Sequence, residues 1–260
     1  MISHGSGSQS LKRRFCFPDD MTGPWDGIPA TRGYKDPAMA QYWVHIIRDD
    51  LDPLRTFVTN PALYGRLEQL TTSTVLDGGC GEGYVTRWLT EQGHISVGLD
   101  SSEPLVEAAH AATVGKDTYV HGDVLDLSED LGMFDVVLYN FVLLSVAEPE
   151  EAIQQAANRL NPGGRLIIQT LNPTCTALYS KDNGASESKK HELGFTVSGE
   201  QSPVACTRWH HPLHRLTHGL NDAGFIYQVS YPQPIPGTTK DFVVERMKDP
   251  WFLLIDAVKQ

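Results

Sequence analysis

Four glycines fall within six residues in the stretch Asp77-Gly78-Gly79-Cys80-Gly81-Glu82-Gly83-Tyr84. Glycine at this density lets a ligand approach the backbone, because no Cβ intrudes. Phosphate is one such ligand, but the flanking residues exclude it. A phosphate loop places Lys and then Ser or Thr after its last glycine, and here Tyr84 and Val85 follow Gly83. A dinucleotide turn needs a third glycine where this chain has Tyr84, so both readings fail. Asp77 adds an electrostatic objection. A carboxylate at the mouth of the turn repels phosphate and favours a cation.

S-adenosylmethionine meets that requirement, with a positive sulfonium, an ammonium and one carboxylate. Asp77 favours its cationic end directly, through water or by orienting the loop. The first N–H groups of the following helix are expected to take its carboxylate. Gly79 and Gly81 leave room for its approach. Asp100 follows Asp77 by 23 residues (100 − 77) and ends the next apolar run, where an acidic side chain accepts ribose hydroxyls. Dinucleotide folds use the same device, so Asp100 alone does not discriminate. Gly122-Asp123-Val124 closes a third run. Its carboxylate suits the adenine amine, and Val124 adds a backbone N–H.

These residues need strands and helices to hold them. Short β-branched runs alternate with amphipathic segments. Strands are predicted at Thr74–Leu76, Ile95–Leu99, Thr118–His121, Phe134–Tyr139 and Arg165–Gln169. Helices are predicted between them, over Tyr84–Gln92, Val106–Ala112 and Glu150–Leu160, with Ser101 or Ser102 as a cap for the second. Two more strands, Phe225–Val229 and Trp251–Val258, follow a helix that starts after Pro212. This rhythm predicts an α/β fold with a doubly wound, mostly parallel sheet. Residues 1–37 read as tail and loop. Residues 38–70 read as an N-terminal helical cap, and residues 71–260 as the cofactor-binding domain. Within that domain, 172–207 lacks periodicity and is expected to be an insertion that closes as a lid.

The runs VLDGGCGEGY, VGLDSS, HGDVLDL, FDVVLYNFVLL and NPGGRLIIQT stand in the order and spacing of the class I S-adenosylmethionine-dependent methyltransferases, which the chain resembles over roughly Val75 to Thr170. The resemblance implies a seven-stranded Rossmann-like sheet whose last strand is antiparallel. It assigns Asp77, Gly79, Gly81, Asp100, Asp123, Val124 and Asn140 to S-adenosyl-L-methionine, with Ser101 beside them. The match is to small-molecule enzymes with a helical cap. These often carry His-Arg-Pro-Leu before the late helix, where this chain has His210-His211-Pro212-Leu213. Asn140 is followed by Phe141 rather than by Pro-Pro-Tyr/Phe, so the signature of adenine and glutamine N-methylation is missing.

The implied activity is methyl transfer to a small-molecule N, O or C nucleophile, such as a specialised metabolite. A rearrangement or cyclisation promoted by the sulfonium charge is the alternative, and product mass separates the two. His210, then His211 and His45, are the candidates to accept the proton of the acceptor. Tyr34, Tyr42 and Trp43 are candidates to line the substrate pocket. His210, His214 and His218 are spaced for one helix face, yet no acidic or cysteine partner stands near, so no metal is assigned.

The net charge of −11 and the lack of a basic stripe speak against a nucleic-acid partner. No apolar run reaches the ~20 residues of a membrane span. Four scattered cysteines fit a reduced, cytoplasmic setting. The expected partners are a small-molecule substrate and, for self-assembly, a second copy in a homodimer.

Overall fold

A computed structural model describes residues 33–175, 187–193 and 196–260. Most of the expected tail (1–32) and part of the insertion (176–186 and 194–195) lie outside the described residues. In chain order the strands are Thr74–Gly78 (β1), Ile95–Asp100 (β2), Thr118–His121 (β3), Phe134–Asn140 (β4), Leu160–Leu171 (β5), Lys189–Leu193 (β6), Thr196–Val197 (β7), Glu200–Gln201 (β8), Cys206–His210 (β9), Phe225–Ser230 (β10) and Phe252–Lys259 (β11). The helices are Pro37–Arg48 (α1), Asn60–Leu67 (α2), Tyr84–Glu91 (α3), Glu103–Ala111 (α4), Pro149–Arg159 (α5), Leu213–Asp222 (α6) and Asp241–Arg246 (α7).

Seven strands form the main sheet in the order β10-β11-β5-β4-β1-β2-β3. The first five strands of the chain pair in parallel, and β11 runs antiparallel to both of its neighbours. This is the Rossmann-like methyltransferase arrangement. Alternation along β4 shows why the sheet is covered on both sides. Val136 and Leu138 pack with Leu63, Leu67, Val85 and Leu89 from α2 and α3. Val137 and Tyr139 pack on the other face with Ile153, Ala156, Leu216 and Leu220 from α5 and α6. Burying each such aliphatic side chain is worth ~1.5–3 kcal/mol, so the centre of the sheet is the rigid platform for the strand ends.

Local signals set the helix starts. Asp36 accepts from the Ala38 N–H at 2.9 Å, with Pro37 in the first turn of α1. Ser102 occupies the N-cap of α4, but its side chain makes no cap bond there. Its hydroxyl donates instead to the Tyr34 carbonyl at 2.6 Å, tying the segment before α1 to the end of β2. The insertion is not structureless. β6 and β9 pair antiparallel, and β7 and β8 form a second small hairpin. His210 closes β9, so it does not share the α6 face with His214 and His218. Among the described residues, no group of His, Cys, Asp and Glu is arranged to hold a metal, and no helix is long and apolar enough to cross a membrane.

Candidate active site

A cavity of about 1300 Å³ opens along the carboxyl ends of β1 to β5. Asp77, Gly79, Gly81, Asp100, Ser101, Asp123, Val124 and Asn140 all line it. Four different strands and their turns thus bring the sequence-predicted cofactor residues together.

The glycine turn is clamped to β2. Gly79 and Cys80 both donate to the Leu99 carbonyl, at 2.6 and 3.0 Å. Gly81 donates to Asp100 Oδ2 at 2.8 Å, and Ser102 donates to Asp100 Oδ1 at 2.8 Å. Gly79 has φ +74°, and a Cβ there would stand 2.3 Å from Val142 Cγ2. Gly81 has φ +58° and open space where its Cβ would be. One glycine lets the turn close, and the other leaves the cavity clear.

Asp77 is 2% exposed. Burial pushes its pKa up to about 7, against hydrogen bonds from the Thr86 hydroxyl and backbone N–H. The hydroxyl bond is 2.7 Å. Asp77 therefore orients α3 and occupies one of the N–H groups expected to receive a carboxylate. Asp123 Oδ1 accepts from Leu125 N at 3.0 Å, which holds its turn at the rim. Asn140 is an internal strut. It donates to the Tyr84 hydroxyl at 2.7 Å and accepts from Gln169 at 2.9 Å.

The cap supplies a feature that the sequence reading passed over. Arg55–Thr59 is a π-helical turn running into α2. Arg55 and Thr59 both line the cavity. Among the described residues, Arg55 Nε and Thr59 Oγ1 are buried with no hydrogen-bond partner, while the guanidinium lies 4.3 Å from the Tyr84 ring centroid. Two stranded polar atoms on one wall call for a ligand that satisfies them. Asp52 starts this segment, accepting from Leu54 N at 2.9 Å, and burial raises its pKa. The Asp52-Pro53 pair was the available sequence signal, an N-cap with proline after it.

Tyr34 and Trp43 line the cavity, with ring centroids 6.0 Å apart. Arg208 from β9 hydrogen-bonds the Tyr34 phenol. Tyr42 is not on the wall. Its hydroxyl donates to the Glu200 carbonyl at 3.1 Å, and burial pushes its pKa up to about 12. The candidate histidines are not brought together. His45 is exposed between Asp49 at 2.6 Å and Glu200 at 2.9 Å. His211 is buried, donating from Nε2 to the Val146 carbonyl at 2.8 Å, with Ser188 Oγ 2.7 Å from Nδ1. His210 sits at the end of β9, in register with Lys189. Among the described residues, no histidine lines the cavity.

Residues 76–168 match the family model of the methyltransferase domain. The core of this chain is a class I S-adenosylmethionine-dependent methyltransferase domain. A ubiquinone biosynthesis O-methyltransferase of Caulobacter vibrioides is 37% identical over 116 residues, covering 43% of this chain and 46% of that protein. One of the same name from Coxiella burnetii is 34% identical over 119 residues, covering 44% and 51%. The chain thus spans about half the length of the curated relatives it matches. An S-adenosylmethionine-dependent methyltransferase from Mesorhizobium loti shares the fold with a TM-score of 0.61 at 23% identity, over 76% of this chain and 96% of that one. A glycopeptide N-methyltransferase solved with S-adenosylmethionine has a TM-score of 0.53 at 16% identity, over 77% and 92%.

S-adenosylmethionine is the cofactor of such a domain, and the donor set fits it. Asp100 and Asp123 provide acceptors for hydroxyl and amine hydrogens. Asp77 is a buried carboxylate that a nearby cation stabilises. Arg55 and Thr59 leave donors unsatisfied where an anionic group would be welcome.

Proposed function

We propose that this protein methylates a small molecule, a specialised metabolite, at a nucleophilic oxygen. The observation that carries this reading is the layout of one continuous cavity. The carboxylates that suit the cofactor lie over β1, β2 and β3, and an apolar compartment lies over β4, β5 and β11. The names of the curated relatives support oxygen as the acceptor atom.

When bound, S-adenosylmethionine supplies an electrophilic methyl group on sulfur. The chain's own residues do the rest. Asp100 accepts from the ribose hydroxyls, Asp123 from the adenine amine, and Val124 adds its N–H. Arg55 and Thr59 take the carboxylate, a role first expected for the start of α3. Tyr34 and Trp43 close over the same region and exclude water. Alignment of acceptor and methyl group supplies most of the acceleration. The acceptor proton goes to a carboxylate on the wall. Asp52 is our candidate, because burial holds its proton affinity above that of an ordinary aspartate and its segment borders the apolar compartment.

The acidic net charge favours a small molecule over nucleic acid as the partner, and cytoplasmic location and a homodimer complete the proposal. Mass spectrometry of the protein with S-adenosylmethionine and a panel of phenolic acceptors tests it. The expected result is a gain of one methyl per acceptor with equal release of S-adenosylhomocysteine. Binding of S-adenosylhomocysteine without transfer to any phenol would overturn oxygen methylation.

A further inference from the structure

Phe141 follows β4 and holds φ at +58°, a left-handed conformation that a bulky residue seldom adopts. Among the described residues, the other non-glycine positions with positive φ are Asp50 and Ser198, both small polar residues in turns. Glycine would make the same reversal without strain. A strained backbone persists where its surroundings enforce it, often at ligand sites.

The surroundings of Phe141 do enforce it. Its N–H donates to the Gln169 carbonyl at 2.7 Å. Asn140, just before it, is held between the Tyr84 hydroxyl and the Gln169 side chain. Val142, just after it, lies where a Cβ on Gly79 of the cofactor turn would collide with its side chain. Both chain neighbours of Phe141 are thus fixed by groups of the cofactor region, and none of these contacts uses the ring.

Strand order gives the ring its place. β4 lies between β1, which carries the glycine turn, and β5, and neighbouring strands are ~4.8 Å apart. Phe141 therefore stands at the border between the carboxylate-rich end of the cavity and the apolar compartment. In the proposed reaction the methyl group and its acceptor meet at that border. The ring meets Phe252 of β11 edge to face, with centroids 5.9 Å apart at 88°. Both residues line the cavity, and Phe252 is buried while Phe141 is only half-buried. Two rings at right angles form a corner. A flat aromatic ligand seated there lies parallel to one ring and edge-on to the other, the two geometries that aromatic pairs prefer. Leu54, Leu171 and Phe242 continue the apolar wall.

We infer that Phe141 is the specificity-determining residue of the acceptor site. The acceptor is a flat aromatic alcohol that seats its ring in the corner of Phe141 and Phe252, and Phe141 sets which hydroxyl faces the methyl group. This inference rests on the proposed methyl transfer and names its substrate class.

The test titrates the protein, with S-adenosylhomocysteine bound, with naphthol and with its saturated counterpart, decahydronaphthol. Naphthol is expected to bind wild type about tenfold tighter, as two aromatic contacts imply. Phe141→Leu keeps an apolar side chain but loses the flat ring, so the ratio should fall to about threefold or less, with S-adenosylhomocysteine affinity unchanged. Phe141→Tyr keeps the ring and should keep the ratio. Turnover of methyl protocatechuate, which carries two unlike hydroxyls, reads the orientation. Wild type and Phe141→Tyr should give one methyl ether in clear excess, and Phe141→Leu a mixture of the two. A wild-type binding ratio near one overturns the inference even if Phe141→Leu fails to fold. So does a binding or isomer ratio that Phe141→Leu leaves unchanged, or an absence of naphthol binding to the loaded protein. A ring that only braces the fold would lower Tm in Phe141→Leu and change neither ratio, and that also overturns it. Transfer to aromatic alcohols with neither preference would leave the function standing and the inference fallen. Failure of cofactor binding or of all transfer would remove the function itself.

Discussion

The backbone N–H of Gly81 donates to the carboxylate of Asp100 at 2.8 Å. One side chain therefore holds the glycine turn and, in the proposed role, still has acceptors to offer the ribose, since each carboxylate oxygen can take more than one hydrogen bond. Asp100→Ala should weaken S-adenosylhomocysteine binding by ~1–3 kcal/mol. Isothermal calorimetry on the folded variant checks this, and an unchanged affinity would refute the role.

Asp77 links the site to pH. Its folded pKa of about 7 stands above the ordinary carboxylate value, so the native state holds the proton more tightly than the unfolded chain. The stability this contributes is fully present below ~3.9 and is lost as pH rises through about 7. A bound cation reverses the preference and favours ionised Asp77. Cofactor binding at about pH 6 should therefore release a proton, and affinity should grow as pH increases. Calorimetry in buffers of different ionisation enthalpy measures the proton. Asp77→Asn should abolish the release and flatten the pH dependence of cofactor-free stability. Equal proton release by the variant and wild type would contradict this.

The glycine turn and its acidic partners were legible because each sits within a few residues of its strand end, where spacing alone fixes geometry. The alternation in β1 to β5 was legible for the same local reason. The acceptor compartment was not. Phe252 reaches Phe141 only because β11 inserts antiparallel between β5 and β10, pairing Phe252 with Leu171. No local pattern reports that contact. The hairpin of β6 and β9 was missed because its strands carry charged residues such as Lys189, Lys190 and Arg208, which blunt a two-residue period. The histidines next to Pro212 lie near the correct strand edge, but hydrogen bonds to Val146 and Ser188 lock His211 away from the cavity.

The cap is coupled to the cofactor turn through Glu82, which is fully buried. Its carboxylate accepts from Arg87 at 2.7 Å and from Arg48 of α1 at 2.8 Å. Glu82→Gln leaves two guanidinium groups without their counterion and should cost ~3–5 kcal/mol. Arg48→Ala, at a half-exposed site, should cost at most ~1 kcal/mol but raise hydrogen exchange in α1 and not in α3. Urea denaturation and exchange mass spectrometry read the two effects. A Glu82→Gln protein as stable as wild type would show that the pair holds nothing together.

The hairpin of β7 and β8 supplies Val197, Ser198, Gly199 and Gln201 to the cavity wall. It is latched to the cap through Tyr42 to the Glu200 carbonyl and His45 to the Glu200 carboxylate. Bound ligands should slow exchange in 196–201 and in 33–48, as a closing lid requires. The Asp49 and Glu200 carboxylates raise the His45 pKa, so this part of the latch is strongest at low pH and loosens as pH rises through the histidine range. Exchange in 196–201, corrected for intrinsic rates, should accelerate over that range in wild type but not in His45→Gln. No ligand effect in either segment would remove the lid.

In the proposed reaction Asp52 takes the acceptor proton. Phenol oxygen attacks as the phenolate, so a group on the wall must accept the proton as the bond to carbon forms. His211 cannot serve while both ring nitrogens are engaged, and His45 and His210 lie off the wall. Asp52 faces the cavity, with Oδ1 committed to the N–H groups of Leu54 and Arg55. Asn at this position keeps an oxygen for the cap and loses the basic site, so the helix start survives. Asp52→Asn should lower kcat by ~10²–10⁴-fold with S-adenosylhomocysteine affinity nearly unchanged. The wild-type rate should rise with pH as Asp52 ionises, and the variant should lack that limb. His211→Ala provides the contrast. Losing two buried hydrogen bonds should destabilise the fold by ~1–3 kcal/mol, with kcat of the folded fraction close to wild type. If Asp52→Asn turns over normally and His211→Ala does not, the proton leaves towards β9 and the cavity wall must rearrange to admit it.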